Sequence, residues 1–316
     1  MNDNSIIEHN EIIPEGVKMI QAPYMWSQGY KGKGINIAVI DTGCDINHWD
    51  LKDRIVEYRN FTNEDKKDPN IVTDYMGHGT HVAGTIGASQ NDYGIIGVAP
   101  ECNLFIYKAL LQYGGELSWV TEAIKYATSR HVDIINLSMG TSTNDPDLYN
   151  AIKEAVKNNI LVVSSSGNSG DGSTLSSEID FPAAYKEVIS VGATDLNMKI
   201  PKFSSSNNQV NLVAPGQNIY STHPGNTYKE RRGTSQSAAF VSGALALIIE
   251  SMRDKLKRNV SVVEVYTQLI KSTIPLGYDK KLEGNGFLYL STDYILEQIV
   301  KNNELDKYTK EVISDG

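Results

Sequence analysis

The sequence predicts an α/β fold with a doubly wound, mostly parallel sheet and helices on both of its faces. Short β-branched apolar runs recur along the chain, and they are Ile35–Ile40, Leu104–Tyr107, Val132–Leu137, Ile160–Ser164, Val188–Val191 and Leu212–Ala214. Such runs are typical of strands that are buried on both faces, as in parallel sheets. Helical patterns lie between several of them, and this alternation indicates a doubly wound sheet.

Two segments between these runs place apolar side chains on one face of a helix. The apolar faces comprise Val120, Ala123, Ile124 and Ala127 in the first segment and Leu148, Ala151, Ile152, Ala155 and Val156 in the second. Because ligands of such sheets bind beyond the carboxyl ends of the strands, we expect functional residues directly after the apolar runs.

Composition and charge argue against two classes of partner. The 316 residues are 40% hydrophobic and carry a formal net charge of −9, from 29 Lys+Arg against 38 Asp+Glu. We expect no nucleic-acid partner and no membrane partner, because these need a basic face or a long apolar span. The short basic run Lys229–Arg232 is interpreted as solvated loop surface rather than a binding patch.

The start of the chain and its cysteines indicate a reducing compartment. The first residues, MNDNSIIEHNEIIPEG, are polar and acidic and lack the basic-then-apolar pattern of a secretory signal. Two cysteines, Cys44 and Cys102, cannot build a disulfide framework. If the natural chain starts here, these features predict a cytoplasmic protein. Cys44 is interpreted as a small buried hydrophobe rather than a nucleophile.

Two polar residues in glycine-bearing segments are the first candidates for chemistry. Asp41 ends the run INIAVID, where a carboxylate must be hydrogen-bonded or paired, either as a catalytic residue or as a turn cap. His78 lies in GHGTHVAG, whose glycines allow a sharp turn before a helix. A lone histidine in such a segment is usually structural, and His81 is the better candidate for that structural role.

A serine and an asparagine follow later in the chain. Ser235 lies in RGTSQSAAFVSGALAL, which predicts a buried helix with the serine at its N-terminal end. The positive end of that helix would stabilise negative charge beside the serine, although a serine that opens a helix is commonly only an N-cap. Asn168 follows the run ILVVSSSG, and its amide either donates to an oxyanion or closes a turn.

Taken together, Asp41, His78 and Ser235 supply the orienting residue, the general base and the nucleophile of acyl transfer. Their order along the chain is that of subtilisin and differs from the orders in chymotrypsin and the α/β-hydrolases. The segments AVIDTGCD, GHGTHVAGT, SSSGN and GTSQSA closely resemble the Asp, His, oxyanion-Asn and Ser motifs of the subtilisin-like proteases. The resemblance runs from about Pro14 to about Leu290, and DTGCD and NGFLYL are most similar to the intracellular bacterial subtilisins.

This resemblance implies a subtilisin-like fold in three parts: an N-terminal segment 1–16, a catalytic domain 17–290 and a C-terminal helical tail 291–316. Intracellular subtilisins carry an N-terminal extension that blocks the active site, but only about ten residues precede the matching segment here. We therefore expect either a processed chain or a different restraint. Residues 236–240 depart from the family pattern after the serine, which alters the leaving-group side of the cleft and leaves the catalytic residues intact.

The resemblance also implies a calcium site made of one aspartate, a loop after the His motif and an N-terminal side chain. The matching positions offer side-chain oxygens from Glu11, Asp50 and Asn91 and carbonyl oxygens from Ser89, Tyr93 and Ile95. An all-oxygen shell suits Ca²⁺, which is the predicted cofactor, and an ordinary polar loop is the alternative. The family's weaker cation site is expected to bind poorly, because Gln209–Asn211 carries neutral amides.

The resemblance places an extended substrate between two backbone segments, one around Gly114 and Gly115 and the other at Leu137–Gly140. The expected lining of the primary pocket comprises Ser138, Met139, Gly140, Ser165, Ser166, Gly167 and Asp180. Asp180 stands where the family usually has a small or uncharged residue. It either lies in the pocket and selects basic side chains or is a solvent-exposed loop carboxylate.

These expectations combine into a calcium-stabilised, cytoplasmic serine endopeptidase acting on extended polypeptides, with the catalytic residues Asp41, His78, Ser235 and Asn168. A dedicated processing protease for one precursor is the alternative enzyme. A pseudoprotease that acts as a binding scaffold is the alternative from another class, and the intact quartet argues against it. The resemblance to intracellular relatives, which are dimers, implies a homodimer, but the sequence by itself does not determine the oligomeric state.

Overall fold

The computed structural model describes residues 11–112 and 114–292. The predicted N-terminal segment 1–16 is thus described only from Glu11 onward, and the predicted tail 291–316 lies outside the described residues beyond Thr292. The helices are α1 Glu15–Met19, α2 Ala22–Ser27, α3 His78–Gly87, α4 Leu117–Ser129, α5 Pro146–Lys157, α6 Thr234–Leu256, α7 Val262–Lys271 and α8 Lys280–Glu283. The strands are β1 Asn36–Asp41, β2 Ile55–Asn60, β3 Asn103–Lys108, β4 Ile134–Leu137, β5 Leu161–Ser165, β6 Ile189–Thr194, β7 Val210–Pro215, β8 Ile219–His223, β9 Thr227–Arg231, β10 Thr273–Ile274 and β11 Phe287–Leu288.

Nine strands form one sheet in the order β10-β11-β7-β6-β5-β4-β1-β3-β2. All neighbouring pairs are parallel except β10 with β11. Strand β1 lies between β3 and β4, where the winding of the chain reverses direction. A crevice for ligands opens at the carboxyl ends of the strands at such a reversal. The predicted fold class is therefore confirmed, and Asp41 ends the strand at this point.

Helices cover both faces of the sheet because alternate residues of the strands are buried on opposite sides. Ile37 and Val39 of β1 join the core beneath α3, α6 and α7, whereas Ala38 and Ile40 join the core beneath α4 and α5. The helix α5 begins where Asp145 accepts hydrogen bonds from two backbone N–H groups of the first turn. Most of the predicted apolar faces of α4 and α5 are buried as expected.

Several strands were not predicted, and their exposure explains why. Strand β2 lies at the sheet edge and alternates between half-buried and exposed residues, and β8 and β9 form a separate antiparallel hairpin. Neither case produces a continuous apolar run. The interpretation of Lys229–Arg232 as loop was wrong in part, because Lys229 to Arg231 belong to β9 and Arg231 is half-buried.

The helix α6 carries Ser235 through the centre of the molecule. Of the described residues, this helix alone is long and apolar enough to cross a membrane by length and composition. Its most apolar stretch is 89% buried inside the molecule, as expected for a helix at the centre of a protein core. Small side chains allow the close packing of α6; a Cβ atom added at Gly243 would lie 2.6 Å from Val98 Cβ.

Candidate active site

The predicted catalytic residues lie at strand ends and helix starts on the carboxyl edge of the sheet. Asp41 ends β1, and Asn168 follows β5 after a short turn. His78 opens α3 after Gly77, whose φ of +70° suits glycine, and Ser235 is the second residue of α6. This arrangement follows from the rule that parallel strands present their functional residues at one edge.

A short hydrogen bond joins Asp41 to His78. The distance between Asp41 Oδ1 and His78 Nδ1 is 2.7 Å, and Asp41 is only 1% exposed. The same carboxylate oxygen accepts from the Thr42 backbone N–H at 2.7 Å. Burial lowers the pKa of His78, but the charge of Asp41 and its hydrogen bond outweigh burial, so that the pKa is raised above its ordinary value of 6.5. Asp41 therefore holds the imidazole in the tautomer that presents Nε2 as a base.

A second buried carboxylate, which the sequence reasoning missed, positions the turn before His78. Asp74 Oδ1 accepts from Thr42 Oγ1 at 2.8 Å and from the Gly77 backbone N–H at 2.8 Å. Its Oδ2 accepts from the backbone N–H and the hydroxyl of Thr80. The signal in the sequence was a lone Asp four residues before His78. Its partners could not be identified without the fold of the turn.

The hydroxyl of Ser235 lies in the same crevice but does not bond His78 in this conformation. Ser235 Oγ donates to the carbonyl oxygen of Ser138 at 3.3 Å, and the residue is 7% exposed. Among the described residues no hydrogen bond joins Ser235 Oγ to His78 Nε2. Nucleophile–base hydrogen bonds are often loose before a substrate binds. Rotation of one side-chain torsion would direct the Ser235 hydroxyl away from Ser138.

Asn168 is held so that its amide nitrogen remains available. Its Oδ1 accepts from the backbone N–H of Thr234 at 2.9 Å and from the Thr234 hydroxyl at 3.1 Å. The exposed Nδ2 has no acceptor among the described residues. The backbone N–H of Ser235 lies in the first turn of α6, where such groups lack intrahelical acceptors. Asn168 Nδ2 and the Ser235 backbone N–H are thus two N–H donors without an acceptor among the described residues.

Asp180 lies where the primary pocket was predicted, facing two glycines. A Cβ atom added at Gly167 would lie 2.1 Å from Asp180 Oδ2, and one added at Gly140 would lie 3.3 Å from Asp180 Cγ. The Asp180 carboxylate has no hydrogen bond or ion pair with the residues that the structure describes, and desolvation raises its pKa above 3.8. Backbone pairing of Thr141 with Phe181 holds this segment in place. Asp180 is thus half-buried against two of the predicted pocket residues, and its part in selecting the substrate stays a prediction.

Of the predicted pocket residues, Ser138, Met139 and Gly140 line the cleft that His78 also lines, whereas Ser165, Ser166, Gly167 and Asp180 are not among its lining residues. Ser165 Oγ donates to the carbonyl of Met139 at 3.3 Å, whereas the buried Ser166 Oγ has no partner among the described residues. A cleft of about 430 Å³ runs from His78 past Met76 and is lined by both predicted backbone segments, including Gly114, Gly115, Glu116, Ser138, Met139, Gly140 and Thr141. Tyr113 of the first segment lies outside the described residues.

His81 has the structural role that the sequence predicted. It is fully buried, and its Nε2 lies 2.9 Å from the carbonyl oxygen of Ile219 and 3.1 Å from that of Lys229. Burial lowers its pKa to about 3, so the ring is neutral and donates from Nε2. His81 thus ties the hairpin of β8 and β9 to α3.

The residues predicted to bind calcium are close together. Asn91 Nδ2 lies 3.3 Å from Asp50 Oδ1, and Glu11 Oε1 accepts from the backbone N–H of Asn91 at 2.6 Å. The carbonyl oxygens of Ser89, Tyr93 and Ile95 accept no hydrogen bond from the described residues. Burial raises the pKa of Asp50, although hydrogen bonds from Ile95, Tyr228 and Asn91 oppose this shift.

These residues fit a hard cation. The described residues contain no group of three or more His, Cys, Asp or Glu that could hold a metal ion. The donors present are carboxylate, amide and carbonyl oxygens, the set that Ca²⁺ prefers. Tyr228 OH also donates to Asp50 Oδ2 at 2.9 Å and connects this loop to β9.

Both cysteines are buried and free. Burial raises the pKa of Cys44 well above its ordinary value, and burial raises the pKa of Cys102 to about 12. A nucleophilic thiolate is therefore disfavoured at either position, in agreement with the interpretation of Cys44 as a small hydrophobe.

The chain is similar to known proteases over most of its length. A family model described as the Subtilase family matches residues 32–291. An intracellular serine protease of Paenibacillus polymyxa is 50% identical over 288 residues, which are 91% of this chain and 88% of that relative. The major intracellular serine protease of Bacillus subtilis strain 168 is 46% identical over 307 residues, 96% of each chain. Subtilisin E of the same organism is 39% identical over 249 residues, 78% of this chain and 64% of that relative.

Proposed function

This chain belongs to the subtilase family and is a subtilisin-type serine endopeptidase, and we propose that it cleaves peptide bonds through Asp41, His78 and Ser235. The buried 2.7 Å hydrogen bond between Asp41 and His78 carries this proposal, because no other buried carboxylate–imidazole pair lies at the sheet edge in the described residues. Relatives named as serine proteases support the same reaction.

In the proposed reaction Ser235 Oγ attacks the peptide carbonyl carbon while His78 Nε2 takes the hydroxyl proton. The tetrahedral intermediate collapses with transfer of that proton to the leaving amine, which gives an acyl-enzyme. Water then repeats the sequence and releases the acid. Asp41 keeps Nδ1 protonated and stabilises the imidazolium that forms in each half-reaction.

Asn168 Nδ2 and the Ser235 backbone N–H are the proposed donors to the oxyanion. Because Asn168 Oδ1 is anchored on Thr234, the amide is pre-oriented and costs little reorganisation when charge develops. The loss of one such donor typically costs 10²–10³-fold in kcat, or about 3–4 kcal/mol.

The test is chemical labelling combined with substitution of the nucleophile. A serine-directed sulfonyl fluoride should label Ser235 alone, and Ser235→Ala should fold normally and lose nearly all peptidase activity. The corresponding loss measured on subtilisin is about 10⁶-fold in kcat. Ser237, whose hydroxyl donates to the carbonyl of Ala214 at 3.0 Å, provides the matched control. The Ser237→Ala variant should still be labelled at Ser235. Casein cleavage by Ser235→Ala at near wild-type rate would refute the proposal.

The substrate is proposed to be an extended polypeptide that pairs with the backbone segments at Gly114–Glu116 and Ser138–Gly140. Asp180 is proposed to select a Lys or Arg side chain on the acyl side of the scissile bond. Its half-buried carboxylate, which lacks a partner among the described residues, supports this selectivity.

A calcium ion is proposed at Glu11, Asp50, Asn91 and the carbonyl oxygens of Ser89, Tyr93 and Ile95. The carbonyls without partners and the buried Asp50 support this site. When bound, the ion would stabilise the folded state and would fix the loop between α3 and the strand β3.

A cytoplasmic location is proposed from the names of two relatives, which are called intracellular. The two buried, free cysteines are compatible with a reducing compartment. Identification of the cleaved substrates would distinguish a protease that digests many proteins from one that processes a single precursor. A homodimer is also proposed. Light scattering at micromolar concentration tests the dimer.

A further inference from the structure

Arg231 is a half-buried cation without a counter-ion among the described residues. One of its terminal nitrogens donates to the carbonyl of Met76, and its Nε is buried without a partner. A charge that has lost part of its hydration is costly unless an opposite charge accompanies it. In a chain with a net charge of −9, a guanidinium left unpaired at this place indicates a site for an external anion.

This cation lies beside the catalytic histidine. Met76, which holds the guanidinium, is two residues before His78 and lines the cleft with it. The positive charge of Arg231 lowers the pKa of His78 and so opposes the effect of Asp41. An anion bound to Arg231 would therefore be close to the reacting groups.

The position of β9 relative to the cleft indicates which part of a substrate meets Arg231. The segments Gly114–Glu116 and Ser138–Thr141, which we assign to the acyl part, line the cleft together with His78, and no residue of β8 or β9 lines it. The hairpin of β8 and β9 packs on α3 instead, where His81 contacts the carbonyls of Ile219 and Lys229. Strand β9 ends at Arg231, four residues before Ser235, so the guanidinium lies on the segment that leads into the nucleophile.

We infer that Arg231 binds an acidic side chain within the first two residues after the scissile bond. The inference rests on the proposed function, because it needs Ser235 as the point of attack. A guanidinium presents parallel N–H donors that match a carboxylate, which makes Asp and Glu its preferred partners. With Asp180 on the acyl side, the cleft would favour a basic residue before the cut and an acidic residue after it.

Acyl transfer to added amines tests the inference. An amine that attacks the acyl-enzyme occupies the place of the departing amine, so the reaction measures binding on the leaving-group side of the cleft alone. A peptide ester supplies the acyl group. The amides Glu-Gly-NH₂ and Gly-Glu-NH₂ then compete with water for the acyl-enzyme, and the efficiency of each is compared with that of the matching Gln amide. In the wild type the better Glu amide should be used about tenfold more efficiently than its Gln match. Arg231→Gln should bring the ratio to about one, and Arg231→Lys should retain part of it.

Arg232→Gln is the matched control, since Arg232 carries the same charge one residue nearer to Ser235 but is exposed. The control should keep the wild-type ratio within about twofold, as expected for a solvated charge. A Glu-to-Gln ratio of one in the wild type, or a ratio that does not change in Arg231→Gln, would overturn the inference. If the peptide ester is still hydrolysed in that case, the proposed function is unaffected. More efficient acyl transfer to free Gly-Gly than to the Glu amides would mean that Arg231 binds a terminal carboxylate, and this result would also overturn the inference. No ester hydrolysis would instead refute the proposed function.

Discussion

Thr42 and Asp74 are joined by a buried hydrogen bond of 2.8 Å that connects the residue after Asp41 to the turn before His78. Thr42 Oγ1 also accepts from the Gly79 backbone N–H at 2.9 Å, so one hydroxyl connects the segments of Asp41 and His78 in the proposed triad. The geometry of the Asp41–His78 pair thus depends on Asp74, which hydrogen-bonds to neither of the two side chains.

We expect Asp74→Asn to damage catalysis without direct contact with the substrate. An amide NH₂ would face the Thr80 N–H and hydroxyl, which both donate to Asp74 now, and at least one buried bond would be lost. Buried hydrogen bonds to charged groups contribute about 1.5–3 kcal/mol, and a misplacement of about 1 Å costs about 10²-fold in rate.

Steady-state kinetics and urea unfolding measure both effects of Asp74→Asn. The positioning role predicts that kcat falls more than KM rises, together with a lower free energy of unfolding. Asp45→Asn is the control, because the Asp45 carboxylate accepts from the backbone N–H groups of Asn47 and Gly225. Only its backbone N–H, which the substitution keeps, donates to Thr80 Oγ1. A loss of stability with unchanged kcat would show that Asp74 serves the fold alone.

The pH dependence of catalysis should follow the raised pKa of His78. Only the neutral imidazole accepts a proton, so kcat/KM should rise with pH through a midpoint above 6.5. Because the Asp41 charge raises this pKa, Asp41→Asn should move the titration of His78 to lower pH. NMR titration of His78 in Ser235→Ala, with and without Asp41→Asn, measures the shift without self-digestion. A midpoint that moves upward would contradict the assignment of Asp41.

Calcium should stabilise the folded chain through the loop around Asp50. Binding to the folded state alone adds about 4 kcal/mol at a thousandfold excess over Kd. On a Ser235→Ala background, a chelator should lower the melting temperature, and Asp50→Asn should remove most of this sensitivity. Asp53→Asn is the control, since Asp53 is exposed and three residues away. Identical melting curves in chelator and in millimolar calcium would disprove the site.

The sequence was sufficient for residues whose position follows from the ends of buried strands. Asp41 ends such a strand, Asn168 follows another by three residues, and Ser235 lies in the first turn of a long buried helix. The pattern indicated these positions, and the order of the motifs and their resemblance to a known family indicated the roles. Asp74 escaped prediction because its partners lie across a turn, and Arg231 because it lies on a hairpin without apolar periodicity and bonds a carbonyl far away in the sequence. Contacts of that kind depend on backbone conformation, which local patterns do not encode.

Asp180 is a position where the sequence left two interpretations of equal weight. The glycines at 140 and 167 decide its surroundings, because their missing side chains leave the space that the carboxylate fills. A partner of opposite charge in this pocket is worth a few kcal/mol if the pair is shielded from water, and little if it is exposed. We therefore expect roughly tenfold to several-hundredfold preference for Arg over Phe on the acyl side of the cut.

The measurement is the ratio of kcat/KM for matched chromogenic peptides that end in Arg and in Phe, in the wild type and in Asp180→Ser. The ratio should fall toward or below one in the variant, because large apolar side chains would no longer leave the charge without a partner. Desolvation raises the pKa of Asp180, so the wild-type ratio should decline as the pH falls through that raised value. Titration of His78 slows both substrates alike and cancels in the ratio.

Glu178→Ser, two residues earlier on the same segment, should leave the ratio near that of the wild type, since the Glu178 carboxylate instead accepts from the Ser206 backbone N–H at 2.9 Å. A ratio that is equal in wild type and Asp180→Ser at every pH would mean that Asp180 has no part in selecting the substrate.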